Sequence, residues 1–195
     1  MQNALIIFIR NPELGKVKTR LSATIGPVSA LTVYMELLQH TFKISSENNA
    51  DKFVYYSDSV TENDLWNAPG FAKKIQASGT LGVKMNSAFT DLFALGYKKI
   101  MIIGSDCFEL TAEIIGEAFK RLDDHDVVIG PANDGGYYLL GLKKMLGYIF
   151  RNKSWSTDCL YEETIADLRR NDNSFYSLIK LTDVDTEEDW INTRK

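Results

Sequence analysis

Cysteine and histidine are scarce in this chain, whose 195 residues include only two of each. Cys107 and Cys159 stand far apart with no CxxC pair, and neither His40 nor His125 has a recognisable motif around it. The pattern indicates neither a disulfide framework nor a zinc site. It also gives little support to a nucleophile activated by histidine, and two unpaired cysteines fit a reducing cytoplasm.

Long apolar runs and an excess of positive charge are also missing. The apolar stretch at the N-terminus is short and ends in charged residues, which predicts a buried first strand and no signal peptide or membrane span. The net charge of −4 gives no overall basic field for nucleic acid or an acidic membrane. We therefore expect a cytoplasmic protein with small-molecule partners and no nucleic-acid ligand, and a homodimer is left open.

Two glycine-rich nucleotide-binding fingerprints, GxxxxGK[ST] and GxGxxG, are absent as well. Apolar runs instead alternate with amphipathic segments, which predicts an α/β domain with a mostly parallel sheet. One domain spanning residues 1–195 is expected. Strands are predicted at 4–9, 52–57, 74–76, 99–104, 126–131, 136–142 and 176–181, and helices at 29–43, 85–95, 111–122, 158–170 and from 186 onward.

A carboxylate follows the clearest buried strand of the chain. Ser105 and Asp106 come directly after Gly104, at the carboxyl end of a strand, where open α/β sheets bind ligands. A carboxylate there suits a hard cation such as Mg²⁺, which takes oxygen ligands and phosphate oxygens. The alternative is that Asp106 only caps the loop before Thr111.

A basic segment follows the first strand. Arg10, Lys16, Lys18 and Arg20 crowd around Gly15 in RNPELGKVKTRL. Glycine lets the backbone approach an anion, and Lys and Arg supply charged donors, so the segment is typical of a phosphate cradle. The alternative is an ordinary solvated basic surface.

Two further acidic motifs are candidates. Asp183 and Asp185 alternate in LTDVDTEEDW, which places both carboxylates on one side of an extended segment unless Asp185 and Thr186 merely cap the last helix. Asp134 lies in GPANDGGYYLLGL, where it is either part of a plain hairpin turn or, like Glu13, a candidate general base.

Taken together, the motifs resemble a family of bacterial nucleotide-diphospho-sugar transferase-like proteins, some of which are described as glycosyltransferases linked with arsenosugar biosynthesis. The motifs occur in the family's order, as FIRNPELGKVKTRL, GTLGVKM, IIGSDCFELT, GPANDGGYYLLGL, WST and DVDTEEDW. The resemblance covers Phe8 to Trp190 and implies a GT-A fold, a Rossmann-like three-layer α/β/α arrangement with a mostly parallel central sheet.

KTRL and DVDTEED are more distantly similar to segments of phospholactate-type guanylyltransferases and molybdenum-cofactor nucleotidyltransferases, which share that fold. The chain departs from the family pattern at two places. Phe108 replaces a usual proline, and Val83 and Lys84 replace a usual Glu-Arg pair, which puts donor specificity in doubt.

The resemblance implies a role for each motif. Asp106 and Asp185 would hold Mg²⁺ or Mn²⁺, and Asp134 would act with Asp106 in catalysis. The nucleotide and its phosphates would contact Arg10, Lys16, Lys18, Arg20, Gln76 and Ser105. The acceptor or sugar pocket would include Gly135, Gly136, Tyr137 and Trp155.

Three functions agree with these roles. The first is a metal-dependent glycosyltransferase that moves a sugar from a nucleotide-diphospho-sugar to a small acceptor. The second is a nucleotidyltransferase that makes a nucleotide-activated product from a nucleoside triphosphate. The third is a nucleotide-binding module without catalysis.

Overall fold

The structure, a computed structural model, describes residues 3–155 and 157–194. Within them the chain forms β1 (Asn3–Ile9), α1 (Thr19–Ile25), α2 (Pro27–Ser46), β2 (Asp51–Tyr56), β3 (Phe71–Ile75), α3 (Leu81–Ala94), β4 (Lys99–Ile103), α4 (Ala112–Arg121), β5 (Val127–Pro131), β6 (Tyr137–Leu142), α5 (Leu160–Arg170), β7 (Phe175–Ser177) and α6 (Glu187–Asn192). Single 3₁₀ turns lie at Leu65–Asn67 and Gly147–Phe150.

The strands form one mostly parallel sheet in the order β3-β2-β1-β4-β6-β5-β7. β1 pairs in parallel with β2 and β4, β2 pairs with β3, and β5 pairs with β7. β6 runs antiparallel to both of its neighbours, β4 and β5. Because parallel strands end at the same edge of a sheet, the segments that follow β1 and β4 meet at one edge.

Two apolar cores cover the two faces of the sheet. Along β1, Leu5 and Ile7 belong to one core and Ala4 and Ile6 to the other, because alternate residues of a strand face opposite sides. Helices α1, α2 and α4 supply the first core, and α3 and α5 supply the second. The predicted three-layer α/β class is confirmed.

The helix α1 is absent from the prediction. It follows Lys18, whose backbone adopts the left-handed region with φ of 47°, and only Leu21 among its residues is buried. A short, polar helix with one buried residue shows no helical periodicity in its sequence.

The helix α3 begins at Leu81, earlier than the predicted 85–95. The Thr80 side chain accepts a hydrogen bond from the Val83 backbone amide and so caps the helix. Leu81 and Val83 are 42% and 51% exposed, which conceals the first turn from a pattern that relies on buried apolar residues.

Two strand predictions also need correction. The strand expected at 74–76 is β3, which begins at Phe71. The strand expected at 176–181 ends at Ser177, and a single bridge then joins Leu181 to Ala132. Pairing along β5 shifts register between Gly130 and Pro131, and a proline lacks the amide that a regular ladder needs.

No helix in the described ranges is long and apolar enough to cross a membrane.

The two-core packing predicts that two Leu→Ala substitutions differ greatly in how much they lower the free energy of unfolding. Leu5 is fully buried in β1, whereas Leu95 is 62% exposed at the end of α3. We expect Leu5→Ala to lower the free energy of unfolding by about 2–5 kcal/mol, because it leaves a cavity. The matched Leu95→Ala change should cost less than about 0.5 kcal/mol. Urea unfolding followed by circular dichroism measures both, and equal losses would contradict the burial of Leu5.

Candidate active site

A buried lysine joins two carboxylates at the carboxyl edge of the sheet. Lys18 Nζ lies 2.8 Å from Asp106 Oδ2 and 3.4 Å from Asp185 Oδ1. Lys18 follows the loop after β1, Asp106 follows β4, and Asp185 precedes α6. The Lys18 side chain is only 5% exposed, whereas the two carboxylates are 43% and 40% exposed. The three residues therefore form one charge cluster with its acidic side open to solvent.

The electrostatics of this cluster favour a charged lysine. Burial alone would lower the pKa of Lys18, but the charges of Asp106 and Asp185 outweigh it and raise the pKa. Arg20 adds a second cation, since its Nη1 lies 3.5 Å from Asp185 Oδ2 and its side chain is 78% exposed. One buried and one exposed cation thus flank the same carboxylate.

The carboxylates of Asp106 and Asp185 are not helix caps. Thr186 caps α6, with its Oγ1 accepting from the Asp189 amide at 3.2 Å while Asp189 Oδ2 accepts from the Thr186 amide at 2.8 Å. Thr111 likewise caps α4 with its own hydroxyl. The capping alternatives are therefore wrong for both aspartates, although Thr186 is a cap as expected.

Tyr34 of α2 links the segment after β1 to the segment after β4, next to the charge cluster. The Tyr34 hydroxyl accepts from the Arg10 amide at 2.8 Å, donates to the Arg10 carbonyl at 3.0 Å and lies 3.2 Å from Ser105 Oγ. Burial raises the pKa of Tyr34, and the charge of Asp106 acts in the same direction. The sequence places Tyr34 on an apolar helix face, which gives no signal for this role.

The cluster borders a first pocket of about 770 Å³, which is within the usual range for small-molecule sites. All of the residues predicted to contact a nucleotide line this pocket: Arg10, Lys16, Lys18, Arg20, Gln76 and Ser105. Asn11 and Asp58 also line it and are absent from the prediction.

Two of the predicted nucleotide-binding residues are already engaged within the chain. Lys16 Nζ lies 2.6 Å from Glu13, although its side chain is 73% exposed. Gln76 Nε2 donates to the carbonyl oxygens of Ile9 and Tyr55 at 3.0 and 3.1 Å. Gln76 therefore ties the ends of β1 and β2 together at the pocket wall. Glu13 lines neither pocket, so the structure separates it from Asp134.

A second pocket of about 410 Å³ adjoins the first across Asp106 and Asp185. Asp134, Gly136, Tyr137 and Trp155 line it as predicted, together with Asp183. Trp155 packs against Gly82, where a Cβ atom would lie 2.5 Å from the indole ring. Gly82 of GTLGVKM therefore makes room for the tryptophan. Ser156 of the WST motif lies outside the described residues.

The segment with Asp134 is both a hairpin turn and a pocket wall. It joins the antiparallel strands β5 and β6, and Asp134 Oδ1 accepts from the Gly136 amide at 2.9 Å. Gly135 does not line the pocket, contrary to the prediction. Its φ is +87°, and a Cβ there would lie 2.1 Å from the Asp158 carbonyl oxygen. Gly135 therefore allows the turn to pack on the segment before α5.

Asp183 is a candidate in the sequence only as the neighbour of Asp185 and has no role among the implied site residues. It lines the second pocket, where burial raises its pKa to about 7 and the charges of Asp106 and Asp134 act in the same direction. Its alternation with Asp185 was the available signal, but alternation alone does not distinguish which pocket a side chain lines.

The two departures from the family pattern differ in importance. Phe108 packs between His40 and Trp190, with ring centroids 4.6 and 5.6 Å away, and lines neither pocket. Lys84 lines the first pocket. Phe108 therefore lies away from both pockets, whereas Lys84 places a cation at the first pocket.

The carboxylate oxygens of Asp106 and Asp185 fit a divalent cation that is also coordinated by a substrate. Among the described residues, no group of three or more His, Cys, Asp or Glu side chains is arranged to hold a metal. Asp106 and Asp185 nevertheless converge on one cation, the Lys18 ammonium. Mg²⁺ is commonly held by one or two carboxylates plus substrate phosphates and water, so two carboxylates beside a basic pocket fit this pattern.

Residues 40–157 match the family model DUF2064, described as "Uncharacterized protein conserved in bacteria". The match covers more than half of the 195-residue chain. The chain belongs to the DUF2064 family. None of the curated proteins matches it.

Solved structures show the fold of this DUF2064 protein. A protein from Desulfovibrio desulfuricans G20, provisionally named a nucleotide-diphospho-sugar transferase, is 30% identical with a TM-score of 0.88, over 95% of this chain and 84% of that one. Rv0371C from Mycobacterium tuberculosis H37Rv, in complex with manganese, is 9% identical with a TM-score of 0.58, over 99% and 98%. The inositol-1-phosphate CTP transferase from T. maritima is 14% identical with a TM-score of 0.59, over 97% and 91%. The predicted GT-A fold is confirmed.

The close approach at Gly135 predicts a selective loss of stability. Gly70 has a similar φ of +88°, but a Cβ there would meet nothing within 4 Å. Gly70→Ala should therefore cost about 1 kcal/mol from backbone strain alone. Gly135→Ala should cost about 3 kcal/mol or more, because it adds a clash with the Asp158 backbone. Chemical denaturation compares the pair, and similar losses would argue against the packing of the hairpin on Asp158.

Proposed function

We propose that this DUF2064 protein is a metal-dependent glycosyltransferase, acting as one domain, that moves a sugar from a nucleotide-diphospho-sugar to a small acceptor. The observation that carries the proposal is the junction of two pockets at Asp106 and Asp185, with cations on the first side and Asp134 on the second. The name of the Desulfovibrio relative and the manganese in a fold neighbour support it.

The first pocket takes the nucleotide diphosphate. Arg10, Lys18 and Arg20 supply positive charge around it, and guanidinium groups match phosphate oxygens with paired donors. Mg²⁺ or Mn²⁺, held by Asp106 and Asp185 with the diphosphate, would neutralise the charge that develops on the leaving group. Lys18, already within reach of both carboxylates, then turns its ammonium toward a phosphate oxygen.

The second pocket takes the acceptor, and Asp134 orients it. The Gly136 amide holds Asp134 Oδ1, which leaves Oδ2 to accept a hydrogen bond from an acceptor hydroxyl. The hydroxyl oxygen attacks the anomeric carbon, the bond from that carbon to the diphosphate breaks, and the hydroxyl proton passes to Asp134. Placing donor and acceptor on either side of one cluster supplies the proximity that the reaction needs.

Nucleotidyl transfer is the second candidate, and one observation favours it. Asp185 is not a helix cap but faces the same cation as Asp106. Two carboxylates suit metal ions that clamp both the attacking and the leaving oxygens of a phosphoryl transfer. A binding module without catalysis is the third candidate, and the departures from the family pattern at Phe108 and Val83 are its basis. Both residues lie outside the two pockets.

Metal-dependent nucleotide binding should require both carboxylates. We expect Asp106→Asn and Asp185→Asn each to weaken the Mn²⁺-dependent binding of nucleoside diphosphates by at least about tenfold, because each removes a charged ligand. Thr186→Ala is the matched control: it removes the cap of α6, costs about 1 kcal/mol of stability and leaves binding unchanged. Calorimetry with and without Mn²⁺ measures all three. Unchanged binding in well-folded Asp106→Asn protein would refute the metal assignment.

The released product separates the two reactions. Glycosyl transfer releases a nucleoside diphosphate, whereas nucleotidyl transfer releases pyrophosphate. We expect nucleotide sugars with Mg²⁺ or Mn²⁺ to yield nucleoside diphosphate in the presence of a small-molecule extract, and nucleoside triphosphates to yield no pyrophosphate. Chromatography of the nucleotides and a pyrophosphate assay measure the two products. Metal-dependent pyrophosphate release, with no turnover of any nucleotide sugar, would move the assignment to nucleotidyl transfer.

A further inference from the structure

The charges that line the second pocket differ from those of the first. Arg10 and Arg20 line both pockets, so they stand on the shared side. The rest of the second pocket's described lining contains Asp134 and Asp183 but no lysine, arginine or histidine. Arg20 is in addition 3.5 Å from Asp185. Among the acidic and basic side chains that the structure describes there, the wall away from the first pocket therefore offers an incoming group carboxyl groups and no cation.

Two backbone amides at the start of helix α5 are engaged within the chain and do not replace the missing cations there. Helix α5 begins beside the second pocket, and a free helix N-terminus can bind an anion. Here the Tyr161 amide donates to the Gly135 carbonyl at 2.9 Å, and the Leu160 amide donates to the Thr157 carbonyl at 3.4 Å. Glu162 and Glu163 stand in the same first turn. The start of α5 is thus engaged within the chain and flanked by acidic side chains.

The remaining wall of the second pocket is apolar and aromatic. Phe8, Met85, Tyr137 and Trp155 line it, and such surfaces pack against the carbon face of a ligand. Carboxylates accept hydrogen bonds and donate none when ionised. A ligand that fits this wall presents hydroxyl groups to Asp134 and a carbon face to the aromatic rings.

We propose that the acceptor is a hydroxyl-bearing small molecule with no phosphate or carboxylate group. An anionic group near Asp134 and Asp183 would face carboxyl groups with no lysine, arginine or histidine on the same wall, which costs free energy in a partly buried site. The inference rests on the proposed glycosyl transfer and narrows its substrate class. It also disfavours nucleotidyl transfer, in which the attacking group is itself a phosphate.

Charge fractionation tests this proposal even while the acceptor is unidentified. A deproteinised bacterial metabolite extract is passed through a strong anion-exchange resin, which retains phosphates and carboxylates. The whole protein with Mn²⁺ and a panel of UDP-, GDP- and dTDP-sugars is then incubated with either fraction, and nucleoside diphosphate release is measured. We expect the unretained fraction to stimulate release at least tenfold more than the retained one. Stronger stimulation by the retained fraction overturns the inference but leaves glycosyl transfer standing.

A substitution that changes the charge of the wall provides a second, independent test of the proposal. In an assay at about pH 8.5, above the Asp183 pKa of about 7, Asp183→Asn removes one negative charge from the wall. It should raise the relative stimulation by the retained fraction about tenfold, as expected for one unit charge at a partly screened distance. Asp124→Asn changes the same residue type in the exposed turn after α4 and should leave the ratio unchanged. An unaltered ratio in folded Asp183→Asn protein contradicts the role given to the wall. No release from any nucleotide sugar with either fraction contradicts the proposed function itself.

Discussion

The pairing of Lys18 with Asp106 and Asp185 is the interaction on which the site depends. A lysine that is only 5% exposed needs compensating charge, and the two carboxylates come from segments far away in sequence. The Val184 amide also donates to the Asp106 carbonyl at 2.9 Å, so backbone and side chains hold the same junction. Removing either carboxylate would therefore disturb the approach of three chain segments as well as the charge.

The sheet topology turns that junction into a division between two pockets. Parallel pairing of β1 with β4 brings the basic loop beside Asp106. The antiparallel strand β6 lies next to β4, and the hairpin that precedes β6 places Asp134 at the second pocket. The lysines therefore lie on one side of the carboxylates, Arg10 and Arg20 border both pockets, and Asp134, Asp183 and aromatic side chains lie on the other side. This asymmetry is the physical basis for proposing a diphosphate in one pocket and a hydroxyl compound without anionic groups in the other.

Local patterns predict the strands well, and they place Asp106 and the basic loop after strands, where the structure has them. Asp106 follows a strongly apolar strand, and Lys18 lies in an evident basic loop. Local patterns do not predict the role of a side chain where contacts between distant segments determine it. The pairing of Lys18 with Asp185 spans 167 residues, Tyr34 resembles a core residue of an amphipathic helix, and Gly135 serves packing on Asp158 rather than the pocket. Hydrophobic periodicity does not predict helix α1, because Leu21 is the one buried side chain among its residues.

The central claim is that Asp106 and Asp185 exchange the Lys18 ammonium for a divalent cation when a nucleotide diphosphate binds. A crystal structure of the protein with Mn²⁺ and a nucleoside diphosphate tests it most directly, because manganese is located by its anomalous scattering. The account predicts manganese coordinated by Asp106 and Asp185 together with phosphate oxygens, and Lys18 Nζ within hydrogen-bond distance of a phosphate. Manganese bound elsewhere, with Lys18 still paired to both carboxylates and the diphosphate outside the first pocket, would contradict it.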